Sequence, residues 1–335
     1  MKVERKTIYL ITLTIIYQLL QWYFWIYRWD SADSITYFYN SENIVNVFKA
    51  TPYQLSSLFF KPFFLLTGYS IFSLMLGALI YRFAFYLFAA SFNINFNRLI
   101  LISFVFFPLH SLLSFFPGRD LFAIIFIYIS ISFALKNKFF VAIIFALFAA
   151  KFRIIQALPL FLALIFEVFI ILKIKGSKFS KFSFASLIIL LITYFIYKNL
   201  YILGYGISFL EILNKVQIEI NSDYFNLEGY TYFTKMFLNL YYPLLSTNFF
   251  SIYSLLSIES LFATFLIVKG LFIGKDYNIP RFIKVASFLT LLVSLISCAI
   301  YPNITDMARK IYPLFLYASI ILFYLKNRRN SFNFL

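Results

Sequence analysis

The sequence predicts an all-α, polytopic integral membrane protein. Hydrophobic residues make up 62% of the chain and charged residues only 13%, a balance outside the range of soluble domains. The mean hydropathy is +0.86. The basic residues fall in short groups between long apolar stretches, as topology signals do. Stretches long enough to cross a bilayer number about ten, in a single membrane domain, 1–335. The net charge of +16 therefore marks sidedness rather than a nucleic-acid surface.

Lys2 and Lys6 precede an apolar segment, 8–27, and put the start of the chain in the cytoplasm. That segment lacks a small-residue cleavage site, so it is expected to be retained. The polar stretch 28–61 is then external, and a second span, 63–92, returns to a cytoplasmic turn at Arg98. Arg82, in the inner part of that span, is expected to snorkel inward.

The third and fourth spans, 99–116 and 121–135, flank the turn Phe115-Phe116-Pro117-Gly118-Arg119-Asp120. Pro117 and Gly118 stop one helix and permit the reversal, and Asp120 stands where it could cap the next. Lys136 and Lys138 mark the inner face. The piece 139–150 is only just long enough to cross, and Lys151 and Arg153 follow it at the outer face or in a cavity opening there.

The sixth span, 154–172, ends at the cytoplasmic lysines Lys173, Lys175, Lys178 and Lys181. A seventh, 182–201, leads to a large external loop, 202–248, whose apolar spacing suggests short interfacial helices. Spans 249–272, 282–300 and 311–325 complete the count, with an inner turn at 275–281 and an outer loop at 301–310. Lys326, Arg328 and Arg329 leave the other terminus cytoplasmic as well.

One histidine, His110, and one cysteine, Cys298, both lie in apolar runs. They exclude a zinc site, a haem ligand pair and, unless His110 itself serves, a Ser-His-Asp triad. Glu259 sits deep in an apolar span, either protonated and hydrogen-bonded in the bundle or functional.

The chemistry is expected at the outer face. Arg28, Arg119, Arg153 and Arg309 all fall there, against the charge bias of membrane proteins. Two readings apply: the arginines pair with Asp30, Asp33, Asp120 and Asp306 or with lipid phosphates, or their guanidinium forks hold a lipid pyrophosphate. Asp33 likewise caps a helix beginning at Ser34, or serves as the base that deprotonates a sugar hydroxyl attacking a glycosyl carbon.

The pattern of Arg28 with Asp33 and Tyr37, Arg119 in a turn, Arg153 a hairpin later and Arg309 before the final span resembles bacterial O-antigen and exopolysaccharide polymerases, the Wzy-type proteins and their EpsG-like relatives. The resemblance implies a multi-pass protein of the bacterial inner membrane. It would join oligosaccharide repeat units carried on undecaprenyl pyrophosphate into lipopolysaccharide O-antigen or capsular polysaccharide. Carried over by position, Asp33, Arg119, Arg153 and Arg309 would be catalytic, and Arg28, Asp30, Tyr37, Asp120, Lys151 and Lys310 would bind substrate. The implied partners are the lipid-linked glycan, membrane lipid and a chain-length regulator protein. In contrast to many such polymerases, the loop 202–248 contains no arginine.

A second resemblance rests on Asp33, on Arg153 with Pro159, and on Arg309 with Pro313. These look like glycosyltransferases of the GT-C fold, which use polyprenyl-phosphate sugars. No cofactor is expected under the first resemblance, and a divalent metal only under the second. A lipid-linked oligosaccharide flippase is the non-enzyme alternative, but no two-fold repeat is evident.

Overall fold

A computed structural model describes residues 5–25, 54–58, 61, 65, 71–92, 119–171, 252–273, 279–300 and 313–324. Among the described residues the structure is all-α, with no strand. Seven helices are α1 (Arg5–Trp25), α2 (Ile71–Ala90), α3 (Arg119–Leu135), α4 (Phe139–Phe152), α5 (Ile154–Ile171), α6 (Ile252–Ile273) and α7 (Arg281–Ile300). The eighth, α8, is Pro313–Tyr324.

One helix among the described residues, α5, is long and apolar enough to cross a membrane; Ile11–Leu20, Leu79–Ala89, α4 and α8 are shorter apolar stretches. The segment 139–150, the weakest span by length, is a continuous helix that runs on to Phe152. Loop 202–248 lies outside the described residues.

The centre of the fold is a helical hairpin. At the end of α3 the Asn137 N–H bonds Ala134 O and the Lys138 N–H bonds Phe133 O, both at 3.0 Å. Asn137 takes φ 58°. This pair of bonds around a left-handed residue is a Schellman stop, and asparagine is one of the few side chains that enters that region at small cost. The chain then reverses into α4.

Small residues set how closely the hairpin arms approach. Ala142, Ala146 and Ala149 recur on one face of α4 and are fully buried, as a close helix–helix seam requires. Ser130 of α3 reaches across to donate to the Ala142 carbonyl at 2.7 Å. Beside the alanine seam runs an aromatic one: Phe126 stacks near Phe148 and Phe152, both with centroids 5.7 Å away, and Phe133 stacks on Phe145 at 5.5 Å. Such offset ring pairs add about 1 kcal/mol each beyond the area they bury.

Ring contacts establish which helix ends lie together. Phe92, just past α2, packs on Phe323 at 5.3 Å. Two residues earlier on α8, Ile321 presses on Gly270 of α6, where an added Cβ would stand 2.7 Å from Ile321 Cγ2. The short connection 274–280 joins α6 to α7, and Phe282 meets Phe139 at 6.3 Å. The C-terminal ends of α2, α3, α6 and α8 therefore gather with the N-terminal ends of α4 and α7. Lys136 and Lys138 stand at this end, the lysine end of the bundle.

Helix α8 is enclosed throughout: residues 313–323 are all buried. A helix apolar on every side belongs inside a bundle rather than at its rim. By contrast α1 presents Ile8, Ile11, Ile15 and Leu19 outward, each more than half exposed.

Arg82 does not snorkel. It is only 2% exposed, and its guanidinium carbon lies 3.0 Å from the centroid of Tyr17 and 5.7 Å from that of Tyr86. Among the described residues no hydrogen bond reaches its Nε or Nη2. Two ring faces stand in for water, an arrangement worth about 2 kcal/mol once desolvated. The helix packing of α1 against α2 closes the route to solvent that the position in the span had suggested.

Candidate functional site

At the end of the bundle opposite Lys136 and Lys138, α3 begins and α4 gives way to α5. The break between α4 and α5 is a single residue, Arg153, with φ −149° and ψ 93°. Its backbone N–H still bonds Ala149 O at 2.9 Å, and its carbonyl receives the Ala157 N–H at 3.2 Å. The residue thus closes one helix and opens the next. Because its backbone is extended, its side chain leaves both helical faces and turns toward α3.

There it meets Asp120. Arg153 Nε donates to Asp120 Oδ1 at 2.7 Å and Nη2 donates to Oδ2 at 2.9 Å. Gln156, three residues into the new chain direction, donates from Nε2 to Oδ1 at 3.1 Å. The side chains of the ion pair are 17% and 11% exposed. A two-point guanidinium–carboxylate contact at this burial fixes direction as well as distance.

Asp120 is not the cap that its place after Gly118 suggests. The helix already includes Arg119, and Asp120 lies in the first turn, where a negative charge still favours the helix dipole. Arg119 stands beside it, half-buried. Lys151 occupies the last turn of α4 and is also half-buried. The structure therefore brings four of the candidate residues, Arg119, Asp120, Lys151 and Arg153, to one end of the bundle. Arg28, Asp30, Asp33, Tyr37, Arg309 and Lys310, together with His110, lie outside the described residues.

Two polar residues of α5, one at each end of the bundle, were not singled out in the sequence. Gln156 stands three residues after Arg153 in an otherwise apolar first turn of α5, and that isolated polar side chain beside the charged break is the signal that could have found it. Glu167, the one carboxylate in α5, is the other. It accepts from Arg281 Nε at 2.9 Å and from Nη2 at 3.0 Å, at the lysine end. Those hydrogen bonds raise the Arg281 pKa above its ordinary value and outweigh the loss of solvent around it. Arg153 and Glu167 are about 21 Å apart along α5 at 1.5 Å per residue, so an arginine–carboxylate clasp holds the helix near each end.

Glu259 of α6 is buried, beside the buried Ser260, and it lies within electrostatic reach of Tyr17. Among the described residues no three His, Cys, Asp or Glu side chains converge to hold a metal ion. Chemically, the Arg153 end offers fixed cationic donors against a carboxylate, suited to a phosphate-bearing group that competes with or bridges them. Comparison with family models, with characterised proteins and with solved structures found no match to this chain.

Proposed function

We propose that the chain is an enzyme of the bacterial inner membrane with about ten spans and both termini cytoplasmic. It joins undecaprenyl-pyrophosphate-linked oligosaccharide repeat units into O-antigen or capsular polysaccharide at the outer face. The observation that carries this reading is the position of Arg119 and Arg153 with Asp120 at one end of the bundle, opposite Lys136, Lys138 and Arg281. The positive-inside rule assigns the lysine end to the cytoplasm, so the arginine end faces outward, where lipid-linked repeat units are presented.

In this mechanism Asp33 takes the proton from the acceptor sugar hydroxyl as its oxygen bonds the donor anomeric carbon. The bond from that carbon to the pyrophosphate oxygen breaks, and the lipid pyrophosphate leaves with the electron pair. Arg119, Arg153 and Arg309 stabilise the charge that develops on it. Arg28, Asp30, Tyr37, Lys151 and Lys310 contact the glycan and phosphates. Asp120 holds the Arg153 fork in place until substrate arrives.

The test is glycan length in cells carrying Arg119→Ala, Arg153→Ala or Arg309→Ala, with membrane content of each protein measured alongside. Loss of long-chain glycan with the protein still in the membrane is expected. Wild-type lengths in all three remove the proposal. In a deletion strain a complete single repeat unit should remain on the lipid; a unit lacking one sugar instead indicates a single-sugar transferase of the GT-C kind.

A further inference from the structure

Between α2 and α3 lies a cavity of about 420 Å³, well away from the Arg153 end. Its walls are apolar, with Ile80, Phe83 and Leu87 on α2 facing Ile125 and Ile129 on α3. Phe83 and Leu87 remain 65% and 58% exposed, so the cavity is a groove open along one side. Tyr128 also lines this stretch, its hydroxyl 3.1 Å from that of Tyr81, and the other polar residues, Ser91, Ser132 and Lys136, lie toward one end.

Length, polarity and charge together specify the occupant. From Ile80 to Ser91, and equally from Ile125 to Lys136, the groove runs about 16 Å at 1.5 Å per residue. That is half of a hydrocarbon core roughly 30 Å thick, the depth of one leaflet. The polar end is the lysine end of the bundle. Lys136 is exposed there, and among the described residues no carboxylate pairs with it. Lys138 adds a second exposed cation two residues on. Basic pockets between membrane helices on the cytoplasmic side take anionic lipid headgroups.

We infer that this groove is a binding site for one anionic phospholipid of the cytoplasmic leaflet, its acyl chain between α2 and α3 and its phosphate at Lys136. The hydroxyls of Ser91 and Ser132 stand at the junction of chain and headgroup. Ser91 Oγ donates to the Phe88 carbonyl at 2.6 Å, so its proton is already engaged and is not given to the lipid's ester carbonyls. The site rests on the reading that α2 and α3 cross a bilayer and is independent of glycosyl transfer.

The experiment titrates the full-length protein, purified in mild detergent, with phosphatidylglycerol and with phosphatidylcholine of identical chains, and reads bound lipid by native mass spectrometry. Phosphatidylglycerol is expected to bind first. Lys136→Gln is expected to weaken phosphatidylglycerol about fivefold, the effect of one interfacial lysine, and to leave phosphatidylcholine unchanged. Ala84→Phe, which fills the groove from α2, weakens both. Equal binding of the two lipids, or a preference that Lys138→Gln removes and Lys136→Gln does not, overturns the assignment. A stronger preference for a polyprenyl phosphate overturns the choice of occupant. Carbonate washing of membranes separates the two premises: a chain released by carbonate overturns the bilayer reading itself, whereas a retained chain with no lipid preference overturns this site alone.

Discussion

Asp120 and Arg153, 33 residues apart in the sequence, meet side-on with both carboxylate oxygens engaged. The pair ties the first turn of α3 to the one-residue break between α4 and α5, so three helix ends depend on a single contact.

Removing Arg153 takes the charged, two-point donor from Asp120 and leaves it the neutral Gln156 amide. Arg153→Ala should destabilise the protein by about 3 kcal/mol, because Asp120 is left charged and largely buried. Adding Asp120→Asn to the same chain should recover most of that loss, since the buried negative charge is removed as well. Thermal unfolding of the three proteins in detergent checks this. In the proposed mechanism the double variant regains stability but not polymer length, and normal polymer in the double variant would mean that Arg153 serves only the fold.

The Glu167–Arg281 pair should respond unequally to its two exchanges. Arg281 has a half-exposed side chain, whereas that of Glu167 is 12% exposed. Glu167→Ala leaves an arginine free to turn to water and should cost less than about 1 kcal/mol. Arg281→Ala leaves a carboxylate without its donors and should cost about 1–3 kcal/mol. Equal costs in unfolding experiments would show that the burial difference does not govern the pair.

At the contact of α6 with α8, Gly270→Ala should destabilise by about 1–3 kcal/mol through overpacking against Ile321. Trimming the opposing side chain with Ile321→Ala in the same protein should relieve part of that cost. Strict additivity of the two exchanges would place the strain elsewhere.

The hairpin turn offers a backbone test. Asn137→Gly should be neutral or stabilising by a few tenths of a kcal/mol, while Asn137→Val should cost more than about 1 kcal/mol at a positive φ. Hydrogen exchange of the Lys138 amide, bonded to Phe133 O, should rise in the valine variant alone.

Much of the hairpin was legible in the sequence because charge and small polar residues are scarce there. Lys136 and Lys138 cannot lie in an apolar interior, and Arg153 interrupts an apolar run, so both ends of α4 were marked. The pairing of Arg153 with Asp120 was one of two open readings, since it depends on the rotation of two helices about their axes. Spacing along the chain does not specify that rotation. Arg82 shows the same limit: its place in the span allowed snorkelling, and only the neighbouring helix supplies the Tyr17 ring that encloses it. Glu167 and Gln156 went unremarked because they are isolated polar residues in one apolar helix, each with a partner distant in sequence. The burial of α8 was equally hidden, since a stretch rich in Leu, Ile and Phe reads alike whether lipid or protein surrounds it.

That enclosed position of α8 has a consequence for biogenesis. The ribosome makes this helix after the other described helices, yet it is buried along almost its whole length, so the residues that pack on it stay uncovered until it is made. Chains halted ahead of Pro313 should therefore stay loosely assembled in the cell and be cleared by quality-control proteases.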